Sequence, residues 1–219
     1  MHTPASLIMT SELFSAFDFI LHGGFFMGML LILSIVSLTI IIQRALALRI
    51  ADVIPPTVEQ AVDSFHSDTS LEPLQKILHA HSSPLSRILK SLLKHATWPR
   101  IEALDATQVV ARHEIARLES GLVLLEITTG IAPLLGLLGT LSGLVGIFAN
   151  IGDKGDPQMV ALGISEALNS TIVGLAVAVP SLIAYHYFCR RIEVIAIDME
   201  AVTAELITKL YLTNNTQTK

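Results

Sequence analysis

The residues of this 219-residue chain best placed to do chemistry are two threonines and a glutamate, Thr140, Thr171 and Glu166. Thr140 lies almost at the centre of Ile127–Gly152, and Thr171 lies early in a third apolar block; both blocks lack Asp, Glu, Lys and Arg. If the two blocks run antiparallel through a membrane, the hydroxyls reach similar depth, near the midplane. A hydroxyl cannot hold or release a proton at physiological pH, but it can position water or bond a carboxylate. It can equally bond the carbonyl three or four residues back. Asn169 and Ser170 add polar atoms beside Thr171. Glu166 sits at the outer end of the third block, where a carboxylate is costly unless it faces protein or water.

No ionisable acid or base lies at mid-depth in either block. A proton path there would need a titrating group from another chain, such as an Asp on a partner helix. One charge crossing 100 mV releases ~2.3 kcal/mol, a small but useful step. Bond-changing catalysis is not supported. His22, His186 and the membrane serines fall at different depths, and Gly139-Thr140-Leu141-Ser142-Gly143 is not a nucleophile turn. No metal-ligand spacing, phosphate loop or dinucleotide fingerprint occurs, so no metal or cofactor is expected. A net charge of −5 without a basic cluster argues against nucleic acid.

The elements that must position these residues follow from composition. The chain is 52% hydrophobic and 15% charged, with a mean hydropathy of +0.62. Soluble domains usually carry about a quarter charged residues. Phe19–Gln43, Ile127–Gly152 and Ala167–Cys189 each exceed the ~20 residues needed to cross a bilayer. The reading is an all-α integral membrane protein with three spans. Nine Lys or Arg lie in 44–117 and four from 190 onward, against none in the first seventeen residues and Lys154 alone between spans two and three. The positive-inside rule then places the N-terminus outside and the C-terminus in the cytoplasm. The expected order is an outer N-terminus (1–18), span one (19–43), a cytoplasmic helical domain (44–126), span two (127–151), an outer turn (152–162), span three (163–189) and a cytoplasmic helix and tail (190–219). The absence of a basic n-region speaks for a retained first span. The single Cys189 leaves no internal disulfide.

The soluble part reads as helical. Pro55-Pro56, Ser83-Pro84 and Trp98-Pro99 mark helix starts. Leu85, Ile88, Leu89, Leu92 and Leu93 make a clear amphipathic helix, and Leu71, Leu74, Ile77 and Leu78 a weaker one. Ile101, Leu104, Gln108, Ala111, Ile115, Leu118, Leu122 and Leu125 form a seam that predicts one helix over Pro99–Asn150. Ile192, Ile195, Met199, Val202, Leu206 and Leu210 extend span three in the same manner. Spans two and three should thus be the membrane parts of long helices.

Within the membrane, small residues mark where helix backbones approach. Span two carries Thr129, Pro133, Gly136, Thr140 and Gly143 on one side, with Gly139 and Gly146 on an overlapping face. Span three carries Ala167, Thr171, Gly174, Ala178 and Ser181. Such faces suit either a hairpin within one chain or a ring of subunits about a common axis. Pro133 and Pro180 withdraw donors from the carbonyls of Thr129 and Ala176, which water or a hydroxyl can then serve. Span one, rich in Leu and Ile, reads as a lipid-facing cover.

Two stretches carry a family resemblance. Gly136-Leu-Leu-Gly-Thr140-Leu-Ser-Gly143 is similar to G-L-x-G-T-V-x-G, and Gly163 to Pro180 resembles G-I-x-E-A-L-x-x-T-x-x-G-L-x-x-A-I-P. Both motifs belong to the ExbB/TolQ/MotA proton-channel family, with ExbB and TolQ the better fit. Leu162, Asn169 and His186 depart from its usual residues. The resemblance implies a homopentamer in the inner membrane, with span-two and span-three helices around a pore. It further implies that a dimer of a single-span ExbD- or TolR-like partner occupies that pore. Thr140, Glu166 and Thr171 would line it, and a TonB- or TolA-like protein would carry the force outward. A non-conducting scaffold and a sodium-driven motor of the same architecture are the alternatives.

Overall fold

A computed structural model of the chain describes residues 24–66, 70–150 and 157–214. Among them the secondary structure is helical, with no strand. The helices are α1 (Gly24–Ala47), α2 (Ile50–Val53), α3 (Pro56–Asp63), α4 (Glu72–Ala80), α5 (Pro84–Lys94), α6 (Arg100–Glu119), α7 (Leu122–Asn150) and α8 (Pro157–Asn214). Phe25–Ala47, Leu122–Ala149 and Pro157–Tyr211 are long and apolar enough to cross a membrane. The 1–18 segment, the first five residues expected in span one (19–23), residues 152–156 of the outer turn and the last five residues lie outside the described residues.

The chain divides into two compact units. The apolar unit comprises 1–41 and 123–185. Leu30, Ala132, Leu135, Val177 and Ala178 form its core, with Phe26, Leu33 and Val173 packed against them. Most remaining large side chains point outward; Ile32, Leu134, Ile172 and Ile183 are each at least 60% exposed, as lipid-facing residues must be. A second tie joins span one to span three. Ser181 Oγ donates to Val177 O at 2.8 Å, so Ser37 must supply the proton of the 2.5 Å Ser37–Ser181 bond.

The charged unit comprises 42–122 and 186–219. Pro84 opens α5, and the Ser83 side chain accepts from Ser86 N at 3.2 Å, a normal N-cap. That start aligns Leu85, Ile88, Leu89 and Leu92, all at most 2% exposed. Leu74 and Leu78 of α4 and Val58 and Val62 of α3 add to the buried set. Along α8, the stripe Ile192, Ile195, Met199, Val202 and Leu206 is buried. Lys209 donates to Val62 O and Asp63 O, both at 2.8 Å, and so caps the C-terminus of α3.

Two expectations change. The seam expected along α6 is buried where expected at Leu118, but before it the buried face is turned by one residue, about 100° of helix. Ala103, Thr107, Glu114 and Leu118 are the buried positions, while Ile101 is 74% exposed and Gln108 is also exposed. The cause is an ion pair. Arg87 Nε and Nη2 of α5 grip the two oxygens of Glu114 at 2.7 and 2.6 Å, although Glu114 is only 3% exposed. Bidentate pairing fixes the face that α6 presents to α5. It also holds the Glu114 carboxyl below the usual carboxylate range and raises the guanidinium further. Leu104, Ala111 and Ile115 instead line a cavity of about 340 Å³ with Met199 and Ile207 of α8.

The expected single helix over 99–150 is also broken. Ser120 (φ −55°, ψ 137°) and Gly121 (φ 82°) separate α6 from α7. Those angles suit the two central residues of a type II turn, which requires positive φ at the second.

Candidate functional site

The site is built where α7 and α8 touch backbone to backbone. A methyl group added at Gly174 would lie 2.6 Å from Ala132 O and 3.1 Å from Gly136 Cα. One at Gly136 would lie 2.8 Å from Ser170 O, and one at Gly143 would meet Ala167 Cβ at 2.9 Å. Gly139 receives the Ser170 side chain, whose hydroxyl would be 2.1 Å from an added methyl. A methyl group added at Gly130 or Gly146 would meet nothing within 4 Å. The small faces of spans two and three therefore meet each other inside one subunit.

This close approach brings the two threonines together. Thr140 Oγ1 and Thr171 Oγ1 are 2.6 Å apart. Thr140 also lies 3.2 Å from Gly136 O and 3.0 Å from Ala167 O, and Thr171 lies 3.2 Å from Gly136 O. Two hydroxyls carry two protons, so one must serve the hydroxyl–hydroxyl bond and the other a carbonyl. The pair can be polarised either way. Either Thr140 donates to Thr171 while Thr171 donates to Gly136 O, or Thr171 donates to Thr140 while Thr140 donates to Ala167 O. In both arrangements every proton is spent within the chain. Thr140 is 7% exposed and Thr171 half-buried.

Glu166 stands apart from this pair. Its side chain is exposed and makes no hydrogen bond or ion pair with the described residues. Pro133 is half-buried and Pro180 exposed. No group of three or more His, Cys, Asp or Glu that could hold a metal occurs among the described residues.

Sequence reasoning missed Ser37 and gave Ser170 no more than a nearby polar atom. Ser170 is 4% exposed, and its hydroxyl has no partner among the described residues. The signal was present: Ser170 follows Glu166 by four residues and Ser181 follows Ser170 by eleven, both helical spacings that share one face.

Residues 80–201, which contain the threonine pair and the glycine contacts, match the model of the MotA/TolQ/ExbB proton channel family. The chain belongs to that family. Its relatives within the MotA/TolQ/ExbB family include a biopolymer transport protein ExbB homolog of Methanothermobacter thermautotrophicus, 36% identical over 74% of this chain. The chain spans 56% of that relative's length. An ExbB-like 1 biopolymer transport protein of Synechocystis is 32% identical over 84% of this chain and 73% of its own length. The biopolymer transport protein ExbB of Neisseria meningitidis is 28% identical over 90% of this chain and 94% of its own. This MotA/TolQ/ExbB member is thus a membrane protein whose named relatives are transport components.

Proposed function

We propose that this chain is the ring-forming subunit of a motor in the bacterial inner membrane, driven by the proton motive force. In this reading five copies surround a dimer of a single-span ExbD- or TolR-like protein, and a TonB- or TolA-like protein delivers the force to the outer membrane. The N-terminus faces the periplasm, and the charged unit lies in the cytoplasm, in keeping with the distribution of Lys and Arg. The observation that carries the proposal is the Thr140–Thr171 pair, a reversible hydroxyl couple in the apolar unit. One of its two protons serves the hydroxyl–hydroxyl bond and the other Gly136 O or Ala167 O, so a hydroxyl serves an incoming carboxylate only by giving up an internal bond. That exchange costs little, because a new bond replaces the old one and a charged acceptor is the stronger partner. Glu166, exposed at the outer end of α8, would gather cations before they reach the couple.

The test separates hydroxyl chemistry from packing. Val resembles Thr in shape but lacks the hydroxyl. Thr140→Val and Thr171→Val should each lower energised transport roughly ten- to hundredfold, the equivalent of a lost bond to a charged group of ~1.5–3 kcal/mol. Ring assembly and partner binding should persist, and the serine variants should retain more activity than the valine ones. Equal activity of serine and valine variants at matched expression would show that the hydroxyls only pack. Replacing protons by sodium as the driving ion distinguishes the two motor types, and full activity of both valine variants would favour a scaffold.

A further inference from the structure

The break between α6 and α7 is held by a side chain from the end of span one. Arg44 Nη2 donates to Ser120 Oγ at 2.8 Å, and Nη1 donates to Leu118 O at 3.4 Å. Ser120 Oγ in turn donates to Arg117 O at 2.8 Å. In an unbroken helix Leu118 O would accept from Leu122 N, four residues on. The extended Ser120 interrupts that ladder, and the guanidinium stands in for the missing donor at the negative end of the α6 dipole.

The clasp is incomplete. The Leu118 bond is long, and Arg44 Nε is buried with no partner among the described residues. The alternative to the break is also written into the chain. Leu118, Leu122 and Leu125 stand at helical spacing in the sequence, each is at most 8% exposed, and no proline intervenes. Gly121 is the one residue there that takes φ 82° without strain, yet glycine also enters a helix at modest cost. We infer that residues 118–122 form a two-state element, broken when Arg44 clasps Leu118 O and Ser120 Oγ, and continuous helix when Arg44 lets go. This rests on the clasp alone and not on the proposed ion path.

Hydrogen exchange on the full-length protein in lipid nanodiscs reads the two states directly. A broken helix leaves the first amides of α7 without helical acceptors, whereas a continuous one pairs them all. Arg44→Gln should slow exchange in the peptide covering 119–125 tenfold or more relative to wild type. Gly121→Ala should do the same by a separate route, since alanine resists the positive φ, and combining the two should add little. Arg44→Lys, which keeps the charge but loses the planar fork, should fall between. Unchanged or faster exchange in Arg44→Gln would overturn the inference, because the guanidinium would then only brace a fixed turn. Should Arg44→Gln fail to fold, Gly121→Ala decides alone, and unslowed exchange there overturns it equally.

Discussion

The apolar and charged units solve the same problem, holding helices together, with opposite means. In the apolar unit the closest contacts involve atoms that side chains normally cover: Gly174 against Ala132 O, Gly136 against Ser170 O, and hydroxyls bonding carbonyls. Lipid tails are as apolar as leucine, so burying leucine there gains little and close backbone packing must supply the cohesion. In the charged unit Leu85, Ile88, Leu89 and Leu92 are removed from water, and one buried glutamate is matched by a bidentate arginine. The same α8 serves both regimes, with Gly174 and Ser181 in one and Ile195, Met199 and Leu206 in the other.

The sharpest break should come at Leu89, which is 0% exposed. Leu89→Ala should cost ~2–5 kcal/mol, the range for emptying a core leucine site, and lower the thermal midpoint of the detergent-solubilised protein. Next is Gly174→Ala, whose new methyl would press on Ala132 O with no rotamer to relieve it; ~1–3 kcal/mol is expected. Gly130→Ala, in open space on α7, should be neutral or slightly stabilising in the same assay. A similar loss at both glycines would mean that close approach is not what holds the apolar unit.

Glu114→Gln should cost about 1–2 kcal/mol, at the lower part of the range for charged hydrogen bonds because the Arg87 side chain is 37% exposed. The sign in pH follows from the lowered carboxyl. Its stabilisation is complete above the unfolded glutamate value of about 4.3 and is lost as pH falls through the lower folded value. Wild type should therefore lose stability below that pH, and Glu114→Gln should lack this part of the decline. Smallest is Ser37→Ala. Ser181 keeps its bond to Val177 O, so only one interhelical hydrogen bond disappears, ~0.6 kcal/mol on average in membranes.

The long elements were legible because composition dictates them. Apolar runs beyond twenty residues have few other fates, and the α4, α5 and α8 leucine stripes appear at the burial positions their spacing implies. The α6 face was not legible, because Glu114 and Arg87 lie 27 residues apart and nothing local announces that a charge will outrank Ile101. The α6–α7 break was missed for a related reason: glycine is compatible with a helix, and the clasp that decides against one comes from Arg44, more than seventy residues earlier. At the site, the spacing placed Thr140 and Thr171 at matched depth. It did not predict that the two hydroxyls would bond each other and a carbonyl of the facing helix, since backbone separation is set by Gly136 and Gly174 and not by the threonines.

The Gly136–Gly174 contact has a mechanical consequence. Side chains cushion most helix pairs, because rotamers yield and recover as the axes move. Here main-chain atoms of Ala132, Gly136 and Gly174 meet with no such spring between them. Compression along that line is resisted at once, and separation would strip the Thr140–Thr171 bond together with whichever of the Thr140–Ala167 and Thr171–Gly136 bonds accompanies it. Sliding is checked further along the contact, where the Ser170 side chain sits in the notch at Gly139 and Ala167 Cβ against Gly143. Within the apolar unit the two helices thus move as one stiff strut, incompressible across the contact and notched along it.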